Sequence, residues 1–305
     1  MQSKRKWIIF AVILGWVLML ALQPVISQQG VTPQKIAEGI YHLKNIRGGN
    51  IVASIGKDGV LLIDSGTDPE DVEKIKAAIA EKTDKSIRYI INTHWHSDHT
   101  AGNEKLHQAG AEIIAHENTA KRMKTDQFFE FFDRKVPASP KDAWPTKTFK
   151  DKIEMKLNGD DLLIDHMQPG HTDGDAIVYF KKANVIHTGD LYFNGYYPYI
   201  GISSGGSVND MILVVNKIIK KIDDKTVVIP GHGPLSNKTE LKNYVNMLTV
   251  IRDNMLPLVK AGKTLEEVQA AKPTAEFDDI WGKTWMEGDD FVRLLYMGMT
   301  KRDDL

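Results

Sequence analysis

Two β-sheets packed face to face and covered by helices is the architecture this sequence predicts. Three observations carry the expectation. Strand-like runs precede helical ones in each half of the chain, the two kinds do not alternate as strictly as a doubly wound sheet requires, and the GxGxxG and Walker signatures of nucleotide-binding sheets are missing. No internal repeat at a period of roughly 20 to 50 residues appears, which removes solenoids and propellers.

Residues 1–27 stand outside this pattern. Lys4-Arg5-Lys6 is followed by an apolar run from Trp7 to Leu22 and then by Val25 and Ser27, the small residues expected just before a cut after Ser27. The run is short of the roughly 20 apolar residues that span a bilayer stably, so it reads as a secretory signal peptide, with an uncleaved anchor helix as the alternative. Either way the rest of the chain is expected outside the cytoplasm, periplasmic or extracellular, touching the membrane only through this segment.

The elements then follow in order. Ile40 to Leu43, Asn50 to Ile55 and Val60 to Ile63 read as strands, the last two joined by the turn Gly56-Lys57-Asp58-Gly59. Pro69 to Lys82 places Val72, Ile75, Ala78 and Ile79 on one helical face behind an acidic first turn. A strand at Ile87 to Ile91, a short helix after Gly102, a strand at Glu112 to Ala115 and a helix around Asn118 to Lys124 come next. Asp126 to Phe149, rich in phenylalanine and proline, is irregular and reads as either a lid or a satellite cluster on the core. Strands recur at Lys152 to Leu157, Leu162 to Met167, Ala176 to Phe180, Val185 to His187 and Val227 to Ile229, with a helix from Val208 to Ile222 before the last. The tail from Asn237 is helical in pattern.

Composition narrows the function. Of 305 residues, 42% are hydrophobic and 26% charged, as in ordinary globular proteins, and the net charge of −1 gives no electrostatic basis for nucleic-acid binding. Removing the leader lowers Lys+Arg from 39 to 36 against 40 Asp+Glu, a net charge near −4. The absence of cysteine removes disulfides, thiolate metal sites and thiol nucleophiles together, so any metal or nucleophile chemistry falls to His, Asp, Glu, Ser or Lys.

The strongest signal is Thr93-His94-Trp95-His96-Ser97-Asp98-His99, directly after an apolar strand. Its four potential ligands can serve two ions: His94 and His96 project alike from extended backbone, and Asp98 and His99 lie beyond the turn. Three more candidates, each expected to close an apolar strand and flanked by glycine, recur: His171 in Gly170-His171-Thr172-Asp173-Gly174, Asp190 in Thr188-Gly189-Asp190, and His232 in Pro230-Gly231-His232-Gly233. Five imidazoles and two carboxylates without thiolate suit zinc first, with iron or manganese as alternatives.

THWHSDH, GHT, TGD and PGHG in this order resemble the metallo-β-lactamase superfamily over roughly Ile40 to Pro234. The resemblance implies an αββα sandwich over residues 28–236, with residues 237–305 as a helical extension packed on it. It implies two zinc ions per chain, one held by His94, His96 and His171, the other by Asp98, His99 and His232, with Asp190 bridging and Asp64 orienting ligands. A hydroxide shared by two ions would be the nucleophile, and Asp98 the residue that orients it or shuttles its proton. His116 and His166 are candidate outer partners of the ligands. Trp95, Phe128, Trp144, Tyr192 and Tyr196 are candidates for a substrate wall, and His42, His107 and His187 read as structural.

The expected activity is hydrolysis of an ester, thioester, lactone or amide bond in a small molecule. A bridging Asp is typical of the thioesterase and lactonase side of the superfamily, which puts β-lactam hydrolysis second. A mononuclear iron oxidoreductase of the persulfide dioxygenase type and a metal-stabilised binding protein are the remaining readings. Oligomeric state is not set by the sequence.

Overall fold

A seven-stranded and a five-stranded sheet divide the chain between them in the computed structural model, which describes residues 30–167 and 169–301. The leader and its cut at 1–27 lie outside the described residues. The first sheet is formed by β1 (Thr32–Ala37), β2 (Ile40–Lys44), β3 (Ile51–Gly56), β4 (Gly59–Ile63), β5 (Ile87–Ile91), β6 (Glu112–His116) and β9 (Lys147–Phe149), in that spatial order. Its first half is antiparallel and its second half parallel, the change falling between β4 and β5. Between β6 and β9 the chain makes a separate hairpin of β7 (Gln127–Phe129) and β8 (Arg134–Val136). The second sheet runs β10 (Lys152–Leu157), β11 (Asp160–His166), β12 (Ala176–Phe180), β13 (Val185–His187) and β14 (Val227–Ile229), with β13 and β14 parallel.

Side chains on a strand alternate between faces, so a strand buried on both sides is apolar throughout. In β4, Val60 and Leu62 join the cluster that covers the outer face, while Leu61 and Ile63 point into the layer between the sheets. Ala176, Val178 and Phe180 of β12 meet them there, and Ile177 faces the opposite way. The outer face of the first sheet is covered by α1 (Asp71–Ala80) through Val72, Ile75, Ala78 and Ile79. On the other side of the molecule lie α5 (Val208–Lys221) and α6 (Lys238–Lys260), after the short helices α2 (Ser97–Thr100), α3 (Asn103–Gln108) and α4 (Glu117–Met123). Four layers result, helix, sheet, sheet and helix.

The tail continues as α7 (Leu265–Ala270), α8 (Asp278–Trp281) and α9 (Gly288–Lys301), and Val31 onward clusters as one unit. No helix among the described residues is long and apolar enough to cross a membrane.

Three elements depart from the sequence expectation. β1 is a strand although TPQKIA is polar and contains Pro33, because an edge strand has one free side on which a missing N–H costs nothing. The stretch 126–149 contains β7, β8 and β9, each of three residues, too short for a periodic signal. His171 does not close a strand: it lies in the loop between β11 and β12.

Candidate metal centre

Apart from His171, which the loop between β11 and β12 carries, the potential ligands follow strand ends at one end of the two sheets. β5 runs into His94 and His96 and then α2, which carries Asp98 and His99; Asp190 follows β13, and His232 follows β14. Potential ligand atoms form two groups, His94, His96, His171 and Asp190 in one and Asp98, His99 and His232 in the other. Within the first, His96 Nδ1 lies 3.0 Å from His94 Nε2 and 2.9 Å from His171 Nε2. Within the second, His232 Nε2 lies 3.1 Å from an Asp98 oxygen and 3.3 Å from His99 Nε2. Asp190 stands between the groups, with Oδ1 3.1 Å from His99 Nε2 and Oδ2 3.4 Å from His171 Nε2.

Partners on the far side of three of the rings fix their protons. Asp64 is fully buried and accepts from His99 Nδ1 at 2.8 Å, and from Thr93 through both its backbone N–H and its hydroxyl, each at 2.8 Å. Because the Thr93 hydroxyl is donating to Asp64, it accepts from His94 Nδ1 at 3.1 Å. His171 Nδ1 donates to the Tyr199 carbonyl at 2.8 Å. With these protons turned outward, the lone pairs of His94 Nε2 and His171 Nε2 point inward, and His99 turns Nε2 inward as the atom a cation would take from its proton. Nitrogen lone pairs about 3 Å apart repel each other, and a cation among them removes that repulsion. Asp190 Oδ1 is buried without a hydrogen-bond partner, as a carboxylate reserved for a cation would be. The donor set therefore fits two ions.

The charges agree. Burial, and then the neighbouring imidazoles, hold His94 and His96 well below the ordinary imidazole range, so both are neutral as ligands must be. Burial acts the same way on His99 and His232, but nearby carboxylates outweigh it: His99 is raised well above its usual range, and His232 is pushed up to about 9, chiefly by Asp190. The second group thus holds protons where a cation would replace them.

Close backbone approach makes the arrangement possible. A Cβ on Gly231 would stand 2.0 Å from Asp190 Oδ1, and one on Gly49 2.1 Å from His99 Cε1. Asp64 itself occupies the left-handed region at φ 62°, a conformation that costs energy and is tolerated best by Asn and Asp.

Two further positioning residues, Asn50 and Asp175, were not singled out by the sequence. Asn50 donates from its amide to the carbonyls of Pro230 and Gly233, both at 2.9 Å, and so pins the loop bearing His232. His187 donates to the Asn50 carbonyl at 3.0 Å, and His42 pairs with the Asn50 side chain at 3.0 Å, which gives both histidines structural work. Asp175 accepts from the backbone N–H of His171 and of Thr172 and fixes the His171 loop, although burial raises its pKa.

A cavity of about 400 Å³ opens onto His96, Asp98, Asp190 and His232. Of the five aromatic candidates only Tyr196 lines it; the other walls are Phe129, Phe132, Phe193, Tyr199 and Trp285, with Gly48, Ser97 and Arg134. Trp95 is stacked behind Phe129 at 5.3 Å between ring centroids. Phe128 alternates with Phe129 along β7 and faces the other way. Trp144 donates its indole N–H to Ser139 and packs on the core, and Tyr192 is sealed between Ser236 and Tyr244. Nor do His116 and His166 reach the ligands. Their rings stack on each other with centroids 3.6 Å apart, and their nitrogens are spent on the carbonyls of Lys150 and Asp175.

The family profile described as the metallo-beta-lactamase superfamily matches residues 46–236, more than half of the chain and every candidate ligand. The chain belongs to the metallo-beta-lactamase superfamily. It is a metal-binding hydrolase of that superfamily and has the superfamily's fold. Among curated relatives, a "Metallo-beta-lactamase type 2" of Elizabethkingia meningoseptica is 23% identical over 82% of this chain and 96% of its own length. A "Hydroxyacylglutathione hydrolase" of Pelagibacter ubique is 29% identical over 53% of this chain and 59% of its own length. Among solved structures, a double mutant of a sec-alkyl sulfatase superposes with a TM-score of 0.66 at 17% identity, over 88% of this chain and 50% of that one, a likeness of fold alone.

Proposed function

We propose that this superfamily member is an exported, dinuclear zinc-dependent hydrolase that cleaves an ester, thioester, lactone or amide bond in a small molecule. The observation that supports this most is the pair of complete donor groups side by side on the floor of an open cavity, with Asp190 in reach of both. His94 Nε2, His96 Nδ1 and His171 Nε2 would hold one ion, Asp98, His99 and His232 the other, and Asp190 would span them. Bound as a pair, two divalent ions supply Lewis acidity toward the substrate oxygen and lower the pKa of a water to near neutrality. Zinc is favoured by the imidazole-rich, thiolate-free set.

The protein's own contribution is orientation and proton handling. Asp64, Thr93 and the Tyr199 carbonyl hold three rings in the tautomer that turns a lone pair inward. Partial burial alone would make Asp98 less acidic, but His99 and His232 hold its carboxyl well below the usual carboxylate range. It therefore stays ionised at the cavity floor, placed to orient the attacking water and take its proton. Export is read from the basic and apolar start of the chain. β-Lactam hydrolysis is the second reading, favoured by the relative named for it, which aligns over 96% of its own length.

Elemental analysis of the purified protein, with a panel of chromogenic ester, thioester, lactone and lactam substrates, tests both. Two zinc ions per chain with turnover of ester, thioester or lactone ahead of lactam is expected, and lactam turnover in front would select the second reading. One iron per chain with no hydrolysis would overturn both in favour of oxidoreductase chemistry.

A further inference from the structure

Resting on the hydrolase reading of the same site, we propose that the cavity selects substrates whose apolar or aromatic acyl body carries a distal anionic group, and that Arg134 recognises that anion. The cavity has two unlike ends. The floor is formed by candidate ligands, and the walls by Phe129, Phe132, Phe193, Tyr196, Tyr199 and Trp285, which favour an apolar or aromatic body. Arg134 is the only Lys or Arg among the lining residues.

Arg134 is exposed, as surface arginines are, but it is not paired with a neighbouring carboxylate. Among the described residues no carboxylate lies within ion-pair distance of it: neither the adjacent Asp133 nor Glu130, which is paired with Lys301, reaches it. The Arg134 guanidinium carbon lies 5.5 Å from the centroid of Phe129, so the exposed charge has an aromatic wall on one side. A guanidinium with open donors beside an apolar wall matches a carboxylate or a sulfate in both charge and geometry. The hairpin that presents it is also anchored. Arg293 of α9 places its guanidinium carbon 3.9 Å from the Phe131 centroid and donates to the Phe131 carbonyl at 3.3 Å. The body of the substrate would therefore lie along the aromatic walls, with its scissile carbonyl at the floor and its anion at Arg134.

The test uses metal-loaded full-length protein and two nitrophenyl esters of a phenylalkanoic acid that differ only at the para position of the phenyl ring, carboxylate in one and carboxamide in the other. The wild-type protein is expected to favour the carboxylate in kcat/KM by about tenfold, the scale of one charge-assisted hydrogen bond at a partly solvated site. That ratio is expected to fall toward one in Arg134→Gln and to be partly kept in Arg134→Lys. A ratio unchanged in Arg134→Gln would overturn the proposal. The same two acyl bodies as methyl ketones, which have no bond a hydrolase can cleave, titrated calorimetrically, separate the subsite from the chemistry. If neither ester is cleaved but the carboxylate ketone binds preferentially and loses that preference in Arg134→Gln, the subsite stands and the hydrolase reading fails; equal binding of both ketones to wild type overturns the subsite.

Discussion

Asp64→Asn is the substitution that best isolates how the centre is held. The carboxylate accepts three hydrogen bonds at 2.8 Å, from Thr93 N–H on one oxygen and from the Thr93 hydroxyl and His99 Nδ1 on the other. An amide can accept on one side only. Of the three donors, the backbone N–H cannot adapt, whereas a hydroxyl rotates and an imidazole can move its proton. The amide oxygen is therefore expected to keep the backbone N–H, with the NH2 turned toward His99. His99 must then present its Nδ1 lone pair outward and carry a proton on Nε2, where it can no longer ligate. Asn tolerates the left-handed φ of 62° at this position, so backbone strain does not confound the result as it would for Ala. Loss of an outer partner of a ligating histidine weakens metal binding by about 10- to 100-fold, or about 1.4 to 2.8 kcal/mol. The assay is metal content by elemental analysis after dialysis against graded chelator, together with the melting temperature. The variant is expected to lose the ion of the Asp98, His99 and His232 group first. Retention of both ions at wild-type chelator concentrations would refute the tautomer argument.

Further outcomes follow from the same geometry. Asp98→Ala is expected to abolish hydrolysis of any accepted substrate while leaving the circular dichroism spectrum unchanged; near-normal turnover would contradict the dinuclear mechanism. Chelation is expected to lower the melting temperature as well as activity, because ions that bind only the folded chain stabilise it by mass action, by about 4 kcal/mol at a thousandfold excess over Kd; an unchanged melting curve after verified metal removal would contradict this. Burial holds His187 below its ordinary value of 6.5, so as pH falls through that value the unfolded chain takes up a proton the native state refuses. Urea midpoints of chelated protein should therefore fall from pH 7 to pH 5, less steeply in His187→Gln, and equal slopes would remove His187 as a cause. Arg293→Ala is expected to raise KM several-fold with a smaller effect on kcat, since it frees the hairpin and not the ligands; an unchanged KM would show that the hairpin needs no such anchor.

How much of this was legible in the sequence depends on how local each signal is. The grouping of the candidate ligands was legible because chemistry forces rare residue types together: no fold needs His-x-His-x-Asp-His for packing, and the strand before it announces a strand end. Asp64 was legible for the same reason, at the end of Leu62-Ile63. The strands of both sheets stood out wherever both faces are buried, as in β4 and β12, and failed where the strand is largely polar, as in β1, or is three residues long and begins on polar ones, as in β7 and β9. Asn50, Asp175 and the Tyr199 carbonyl were not legible, because what they do depends on backbone groups distant in sequence, such as the Pro230 and Gly233 carbonyls that Asn50 binds. The signal that could have been used is a polar residue directly before an apolar strand, which is what Asn50 is.

The cavity walls were the hardest part to foresee, and the reason lies in how the tail is joined to the centre. Tyr197 donates to Asp278 of α8 at 2.9 Å and stacks on Phe291 of α9 with centroids 4.6 Å apart. Two residues further on, the Tyr199 carbonyl takes the proton of His171 Nδ1, and Tyr196 and Tyr199 line the cavity. The tail also supplies Trp285 directly and holds the Phe129 to Arg134 hairpin through Arg293. The segment after Asn237 therefore does three things for the site: it forms one wall, it anchors a second, and it braces the loop that fixes a candidate ligand's tautomer. A pattern of strand ends and histidines can be read from short motifs, but a wall assembled from residues 129, 199 and 285 exists only once the last helix has packed. For that reason the reacting end of this site was predictable from sequence, and the end that chooses the substrate had to be read from the structure.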